Sequence, residues 1–271
     1  MISPQVTGCA TLRFARLANR TRLVHSQVRA PVALVRPFAL PDGRLVVQLV
    51  TVGPGLCAGD VVRVDVIAEE GAAVVLTTTA ATRVMSMDVH ERAEQHVRLQ
   101  AGRSASLEYY PALAIPFPGG SLQQTLSIDA DPTSRIGVVE SWALGRTARD
   151  EYLQFRSLSS RTTLSIGGAL VYADALQLEP GNDDVANAGV LDGRRYLAAG
   201  VFSGVEAVPP GEPEAWPADV DVALALSRPG LAYLRAVAND APTLDAVVRT
   251  SLDRIALEWG RAPVRFDRFR C

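Results

Sequence analysis

A hydrophobic period of two runs through most of the chain, carried by short segments rich in β-branched residues. Two of these segments, Arg44–Val52 and Asp60–Ile67, are separated by a turn rich in glycine and proline. Side chains two positions apart on a strand share a face, so this period favours strands over helices. Further segments continue the pattern: Ala72–Thr79, His96–Gln100, Ala105–Tyr110, Leu122–Ile128, Arg135–Glu140, Thr162–Ile166, Leu170–Leu178 and Asp221–Ser227. The sequence therefore predicts a mainly β protein of many short strands in packed sheets.

The apolar spacing changes near the C-terminus. Leu231, Leu234 and Val237 recur every three residues, and a helical spacing continues from Leu244 to Trp259. We therefore expect two short helices, at 229–239 and 243–259, with Thr243 as N-cap and Gly260 as the stop. The chain is predicted to be a single domain over residues 1–271, with a β body at about 1–228 and a helical part at about 229–260. Because no repeat of 20–50 residues is recognisable, the sequence predicts neither a propeller nor a regular solenoid.

Composition excludes several classes of protein. With 48% hydrophobic residues among 271, the chain can bury a sizeable core. A net charge of −2 indicates neither nucleic acid nor a membrane as partner. All 27 basic residues are arginine, which excludes lysine Schiff-base chemistry and a P-loop lysine. The first residues, MISPQVTGCA, do not resemble a secretory signal, so we expect a cytoplasmic protein.

The motifs that usually indicate catalysis are weak. The glycine-rich segment Gly53–Gly59 leads into a predicted strand, so it lacks the helix N-terminus that holds a pyrophosphate. Asp60, directly after it, fits a turn-forming role. The chain has no GxSxG motif and no Ser or Cys near its histidines in sequence that would indicate a nucleophile. The residues alone indicate a binding or scaffold role.

A second pattern concerns alternate polar positions between Ser86 and Arg98. If this region is extended, Asp88, His90 and His96 share one face and could bind a divalent cation. A solvated polar strand face explains the same residues, so both interpretations stay open.

Four segments, in this order and spacing, resemble the UreD (UreH) family of urease accessory proteins. They are GPGLCAGD (residues 53–60), LTTTAATRV (76–84), LEYYPALAIPF (107–117) and GRTARDE (145–151). The resemblance covers roughly residues 10–180 well. It implies a mostly β protein with a short helical part and no catalytic activity of its own.

The resemblance also implies partners and a cargo. Proteins of this family bind the urease apoprotein and form a complex with UreF and, through it, UreG, which hydrolyses GTP. Nickel is then delivered to the urease active site, so we expect nickel as a transient ligand and no permanently bound cofactor. A conduit for nickel needs exchangeable oxygen or imidazole ligands, because a closed thiolate cage would trap the ion.

The resemblance places acidic residues at Asp60, Glu140 and Asp174, which we expect to line an internal polar route for nickel. Thr82 is expected as a hydroxyl neighbour, and His90 and His96 are weaker candidates. A carboxylate among apolar strand residues is costly to bury unless it is paired, hydrated or metal-bound. The alternative is that each carboxylate accepts a hydrogen bond from an arginine or a backbone amide.

The tail, RAPVRFDRFRC, alternates arginine with phenylalanine, residue types that are frequent at interface hot spots. Arg265, Phe266, Arg268 and Phe269 are therefore candidates for binding UreF, and a frayed terminus or an edge strand is the alternative. Two other function classes remain open. One is a β-rich enzyme acting on a small molecule or glycan, with Glu140 paired with Glu151 or Asp174. The other is an interaction module without metal contact.

Overall fold

The computed structural model describes residues 7–181, 184–187, 190–208, 216 and 219–266, and these are dominated by β-strands. In chain order the strands are β1 (Thr7–Leu17), β2 (Arg20–Arg29), β3 (Val32–Leu34), β4 (Phe38–Ala39), β5 (Leu45–Thr51), β6 (Val61–Ala68), β7 (Ala73–Thr78), β8 (Thr82–Val84), β9 (Ala93–Ala101), β10 (Ser106–Tyr110), β11 (Ala114–Pro116), β12 (Ser121–Ala130), β13 (Arg135–Ala143), β14 (Ser157–Ile166), β15 (Ala169–Leu178), β16 (Tyr196–Ser203), β17 (Val220–Arg228) and β18 (Leu231–Ala238). One α-helix, α1 (Ala241–Glu258), follows them. The mainly β fold class is confirmed.

The strands form two sheets, and the chain alternates between them. The seven-stranded sheet has the order β15-β14-β12-β9-β6-β1-β2. The main path of the eleven-stranded sheet is β17-β18-β16-β13-β10-β7-β5-β3. From β5 to β14, successive long strands belong to opposite sheets, so each sheet receives parallel neighbours.

This alternation makes the central part of the molecule resemble a β-solenoid. Parallel partners lie about 30 positions apart in sequence, as in the pairs Val46 with Val75 and Val61 with Glu94. The sequence shows no matching repeat, because each coil uses different side chains to satisfy the same backbone pairing. The repetition is therefore one of backbone geometry, which a search for similar residues does not detect.

Two hydrophobic cores lie on the two faces of the eleven-stranded sheet. The larger core fills the space between the sheets and contains Leu12, Phe14, Leu76, Leu107 and Trp142 among others. The second core lies between the eleven-stranded sheet and α1. Alternate residues of β10 and β13 therefore point into different cores, a direct consequence of the strand period of two.

The C-terminal region corrects one expectation and confirms another. Residues 229–239 were expected to be helical, but they contain β18, which pairs with β16 and β17. The predicted second helix is present as α1, although Asp240 rather than Thr243 is its N-cap, with the Asp240 carboxylate accepting from the Thr243 amide at 2.8 Å. Gly260 follows with φ +65°, as expected of a stop. Among the described residues, no helix is long and apolar enough to cross a membrane.

Candidate functional site

The four sequence motifs lie in contact with one another at one end of the β body. In the glycine-rich turn, the Leu56 amide donates to the Arg83 carbonyl at 2.8 Å, and the Met85 amide donates to the Leu56 carbonyl at 2.8 Å. The backbone approaches so closely that a side chain at Gly55, where φ is +144°, would overlap the Arg83 carbonyl. The first two motifs therefore share one backbone ladder.

The third motif joins the same ladder, and the fourth contacts the third through a side chain. Strand β8 pairs with β11 through Thr82 with Ala114 and Val84 with Pro116. The guanidinium of Arg146 lies 4.1 Å from the ring centroid of Phe117 and forms an ion pair with Glu151. Segments up to about 90 residues apart in sequence thus form one continuous end surface, here called the motif end.

Asp60 and Thr82, two of the predicted site residues, have structural contacts at the motif end. The Asp60 carboxylate is buried and accepts a hydrogen bond from the Cys57 amide at 2.7 Å, which closes the glycine-rich turn. Burial, followed by the Asp60 charge, raises the pKa of the Cys57 thiol, which keeps it protonated. The Thr82 amide donates to the Leu113 carbonyl at 2.8 Å. Asp60 therefore accepts a hydrogen bond from a backbone amide, which is the alternative to lining a nickel route.

Glu140 and Asp174, the other two predicted carboxylates, lie together between the sheets. Glu140 of β13 is 7% exposed, and the Thr162 hydroxyl of β14 donates to its carboxylate at 2.7 Å. Asp174 is the register partner of Thr162 on the neighbouring strand β15. It forms an ion pair with Arg235 of β18, in the opposite sheet. Two acids, a hydroxyl and a guanidinium thus bridge the two sheets.

The electrostatics of this cluster differ from those of an ordinary buried ion pair. Burial raises the pKa of Glu140 to about 7, with a further contribution from the charge of Asp174, although the Thr162 hydroxyl acts in the opposite direction. Burial, then the Asp174 charge, raises the pKa of Tyr172 to about 12. Glu140 therefore exchanges a proton near neutral pH, unlike an exposed glutamate.

The space beside Glu140 is small. A cavity of about 10 Å³ is lined by Glu140, Thr162, Tyr172 and Asp174 together with residues of β13 and β16. That volume holds about one water molecule. Asp60 does not line it, and strand spacing places Asp60 on the order of 20 Å away, because four strand intervals separate β6 from β15.

Other polar side chains lie in the interior between Glu140 and the motif end. The Trp142 indole donates to Gln124 at 2.7 Å, and the Gln124 amide donates to Gln95 at 2.9 Å. Gln95 and Gln124 are register partners on β9 and β12, one inward row closer to the motif end than Thr162. Polar groups therefore extend from the Glu140 cluster toward the end where Asp60 lies.

The histidines do not form a metal site with each other. His96 faces outward on β9, where its ring nitrogens contact Thr125 at 2.8 Å and Glu94 at 3.1 Å. His90 is exposed in the preceding turn, outside any strand. In the described part of the chain, no three His, Cys, Asp or Glu side chains come together in a way that could hold a metal ion. Of the alternating polar segment from Ser86 to Arg98, only Glu94, His96 and Arg98 lie on a strand, and they share its outer face.

The C-terminal candidates are divided between core and surface. Phe266 is 2% exposed and packs edge-on against Tyr110, with ring centroids 5.9 Å apart. Arg265 lines a surface groove of about 910 Å³ together with Phe38 and Pro263. Arg268 and Phe269 lie outside the described residues. Phe266 thus anchors the segment, and only Arg265 of the described pair is available at a surface.

Sequence reasoning missed Thr162, Tyr172 and Arg235. Thr162 and Tyr172 belong to predicted strands, where their inward position followed from the alternation. Arg235 was hidden because its segment was predicted to be a helix. Its contact with Asp174 joins residues 61 positions apart, and local sequence contains no signal for that pairing.

Comparison with known proteins gives a consistent result. A family model described as UreD urease accessory protein matches residues 6–270. A protein of Deinococcus radiodurans named urease accessory protein UreD is 33% identical over 260 residues, covering 95% of this chain and 93% of the relative. Urease accessory protein UreD 1 of Synechococcus sp. is 34% identical over 75% of this chain and 76% of its own length. UreD 2 of Streptomyces griseus is 32% identical over 76% of this chain and 72% of its own length.

Proposed function

The chain belongs to the UreD urease accessory protein family, and from that premise we propose that it is a cytoplasmic scaffold for urease maturation. It binds the urease apoprotein and UreF, and UreG through UreF. Its interior passes nickel toward the urease active site. The observation that carries this proposal is the pairing of Glu140 and Asp174 between the sheets, because buried acids without a full set of counter-charges are typical of functional sites.

The chemistry of the cluster suits a transient cation. Carboxylate, hydroxyl and phenol oxygens surround the small cavity, and such ligands exchange a divalent ion more readily than thiolates do. Deprotonated Glu140 and Asp174 bring two negative charges, and the raised pKa of Glu140 means that cation entry is coupled to proton release. Nickel is the cargo of this site.

The path for the ion requires movement at two places. The 10 Å³ cavity is too small for a hydrated cation, so the ion loses water there or the sheets separate locally. Arg235 holds Asp174 across the gap between the sheets, and a cation that binds Asp174 must displace that guanidinium. Gln95 and Gln124 offer amide oxygens farther along, in the direction of Asp60.

The enzyme alternative has less support from the same geometry. Glycoside hydrolysis needs two carboxyl groups that flank an open cleft large enough for a sugar. Glu140 faces a space of one water molecule, and Glu151 is held by Arg146 at the motif end. The names of the relatives, all accessory proteins, also favour a role without catalysis.

Complementation tests this function. Urease genes are expressed with UreF and UreG but without their own UreD, and this chain is supplied on a second plasmid. We expect urease activity and nickel in the purified urease only when the chain is present, together with co-purification of UreF. Absence of both activity and UreF binding would contradict the scaffold role.

Alanine variants separate the conduit from the interaction module. Asp60, Glu140 and Asp174 are replaced singly and together. Loss of activation with the UreF complex intact supports the conduit. Normal activation by the triple variant would leave a scaffold without metal contact.

A further inference from the structure

The outer face of the seven-stranded sheet contains a row of arginines. Register pairs place Arg29 of β2 and Arg63 of β6 on either side of Cys9 of β1. The same row continues through His96 and Thr125 to Arg161 of β14. All three arginines are exposed, because the alternate residues of these strands fill the core. At about 4.8 Å per strand interval, this arginine row spans roughly 24 Å.

The three guanidinium groups have no internal counter-charge. Within the described ranges, Arg29, Arg63 and Arg161 form no ion pair and no side-chain hydrogen bond. Two neighbouring arginines, by contrast, form ion pairs: Arg13 with Glu69, and Arg98 with Asp129.

Acidic groups on this face are few. Glu94 forms an ion pair with Arg92 and contacts His96. Among the described strand residues of this face, Asp65, two positions from Arg63, is the acid beside the arginine row without an ion pair. A chain with a net charge of −2 therefore concentrates excess positive charge on one sheet face. Such segregation attracts an oppositely charged surface over distances of about a Debye length, roughly 8–10 Å at moderate salt.

The face also has the size of a protein interface. Seven strands of 8–11 residues give a surface of about 29 Å by 27 Å, or roughly 800 Å². One partner of a standard protein complex buries about this area. Its central rows have short polar side chains such as Thr125, Ser127 and Thr163 around the arginines. A polar surface of this kind suits a reversible partner.

We infer that this outer face docks an acidic protein surface on one of the maturation partners, with the arginine row as its electrostatic anchor. The inference rests on the proposed function and adds the surface that it uses. A protein partner fits better than a polyanion, because the arginines are spaced at about 10 and 14 Å rather than clustered, and paired acids lie between them.

The test measures binding of the variant R29E/R63E/R161E to purified urease apoprotein, UreF and UreG, each alone and in combination. A matched variant, R36E/R103E/R228E, changes three exposed arginines elsewhere and gives the same net charge. At about 50 mM salt we expect the first variant to bind one partner about tenfold more weakly, and the matched variant to stay within about twofold of wild type. The difference should shrink at about 500 mM salt.

Other outcomes overturn the inference. If R29E/R63E/R161E binds every partner like wild type while both variants melt like wild type, the face is not the docking surface and the proposed function stands. If it loses binding only to RNA or to phosphatidylglycerol vesicles, the row serves a polyanion instead. If wild type itself binds none of the three proteins, the proposed function fails and the inference fails with it.

Discussion

Two buried glutamates on neighbouring parallel strands have opposite environments. Glu108 of β10 is 3% exposed and faces the α1 side of the eleven-stranded sheet. Arg44 donates to both of its oxygens, at 3.1 and 3.3 Å, and Arg261 lies 3.5 Å away. Glu140 of β13 faces the other sheet, where one threonine hydroxyl donates to it. The neighbouring charge that raises its pKa is that of another acid, Asp174.

The difference concerns counter-charge rather than burial. Burial acts to lower the pKa of Arg44, but the charges of Glu108 and Asp42 outweigh it and raise that pKa. At Glu140 burial and a like charge act together, so the pKa rises to about 7. Glu108 therefore ties the C-terminal segment to the sheet. Burial of Glu140 instead favours its protonated form. Because of this contrast, we propose Glu140 rather than Glu108 as the functional acid.

The largest loss of stability is expected from substitution of Glu108, the glutamate that has arginine partners. Glu108→Ala removes the buried anion that Arg44 and Arg261 share and leaves Arg44 with Asp42 alone. We therefore expect a loss of about 3 kcal/mol in the free energy of unfolding, the lower end of the range for a broken buried pair. Urea denaturation measures it, with the exposed Glu70→Ala as control. A loss below about 1 kcal/mol would show that Glu108 does not serve as a structural tie.

The next effect depends on pH. The pKa of Glu140 is about 7 in the folded state, against 4.5 for an unfolded chain. A carboxyl with a raised pKa stabilises the fold fully at pH values below 4.5, and this stabilisation is lost as the pH rises through about 7. Glu140→Gln, which keeps an acceptor for Thr162, should therefore become more stable relative to wild type by roughly 3 kcal/mol between pH 4 and pH 8. Parallel stability curves for the two proteins would contradict the raised pKa.

A smaller effect is expected from the acid neighbour. Asp174→Asn removes the like charge and leaves Arg235 nearby, so the pKa of Glu140 should fall. Side-chain carbon NMR of labelled glutamate measures it directly. An unchanged or higher value would mean that burial alone determines the pKa of Glu140.

The smallest effect is expected from Arg235→Met. The Arg235 side chain is 41% exposed, and ion pairs of that kind contribute at most about 1 kcal/mol. Chemical denaturation should show a change within that limit. A loss as large as that of Glu108→Ala would place Asp174 and Arg235 with the structural ties and weaken the contrast.

Local patterns predicted the strands but not their partners. Alternation identifies the β-branched segments from Arg44 to Leu178 as strands, whereas the spacing in β18 predicts a helix. Its buried positions are alanine more often than leucine, so the spacing of Leu231, Leu234 and Val237 dominates the pattern. Strands β1 and β2 were missed, since β2 is an exposed edge strand with little alternation.

For the candidate site, too, the sequence predicts some of the residues but not their partners. Three acids followed from the resemblance, and two of them, Glu140 and Asp174, do meet. What made them differ from Glu108 was not visible in the sequence, because Arg44 lies 64 positions from Glu108 and Arg235 lies 61 from Asp174. The pairing of strands decides which arginine lies beside each acid, and no local sequence pattern encodes that pairing.

The most direct test of the central claim is urease activation by the double variant Glu140→Gln/Asp174→Asn. It is measured against Glu70→Gln in cells that lack another UreD, with UreF co-purification as the control for folding. We predict that UreF binding is retained and that urease activity and bound nickel fall at least about tenfold, while Glu70→Gln activates like wild type. Full activation by the double variant would contradict a functional role for the uncompensated acid at Glu140.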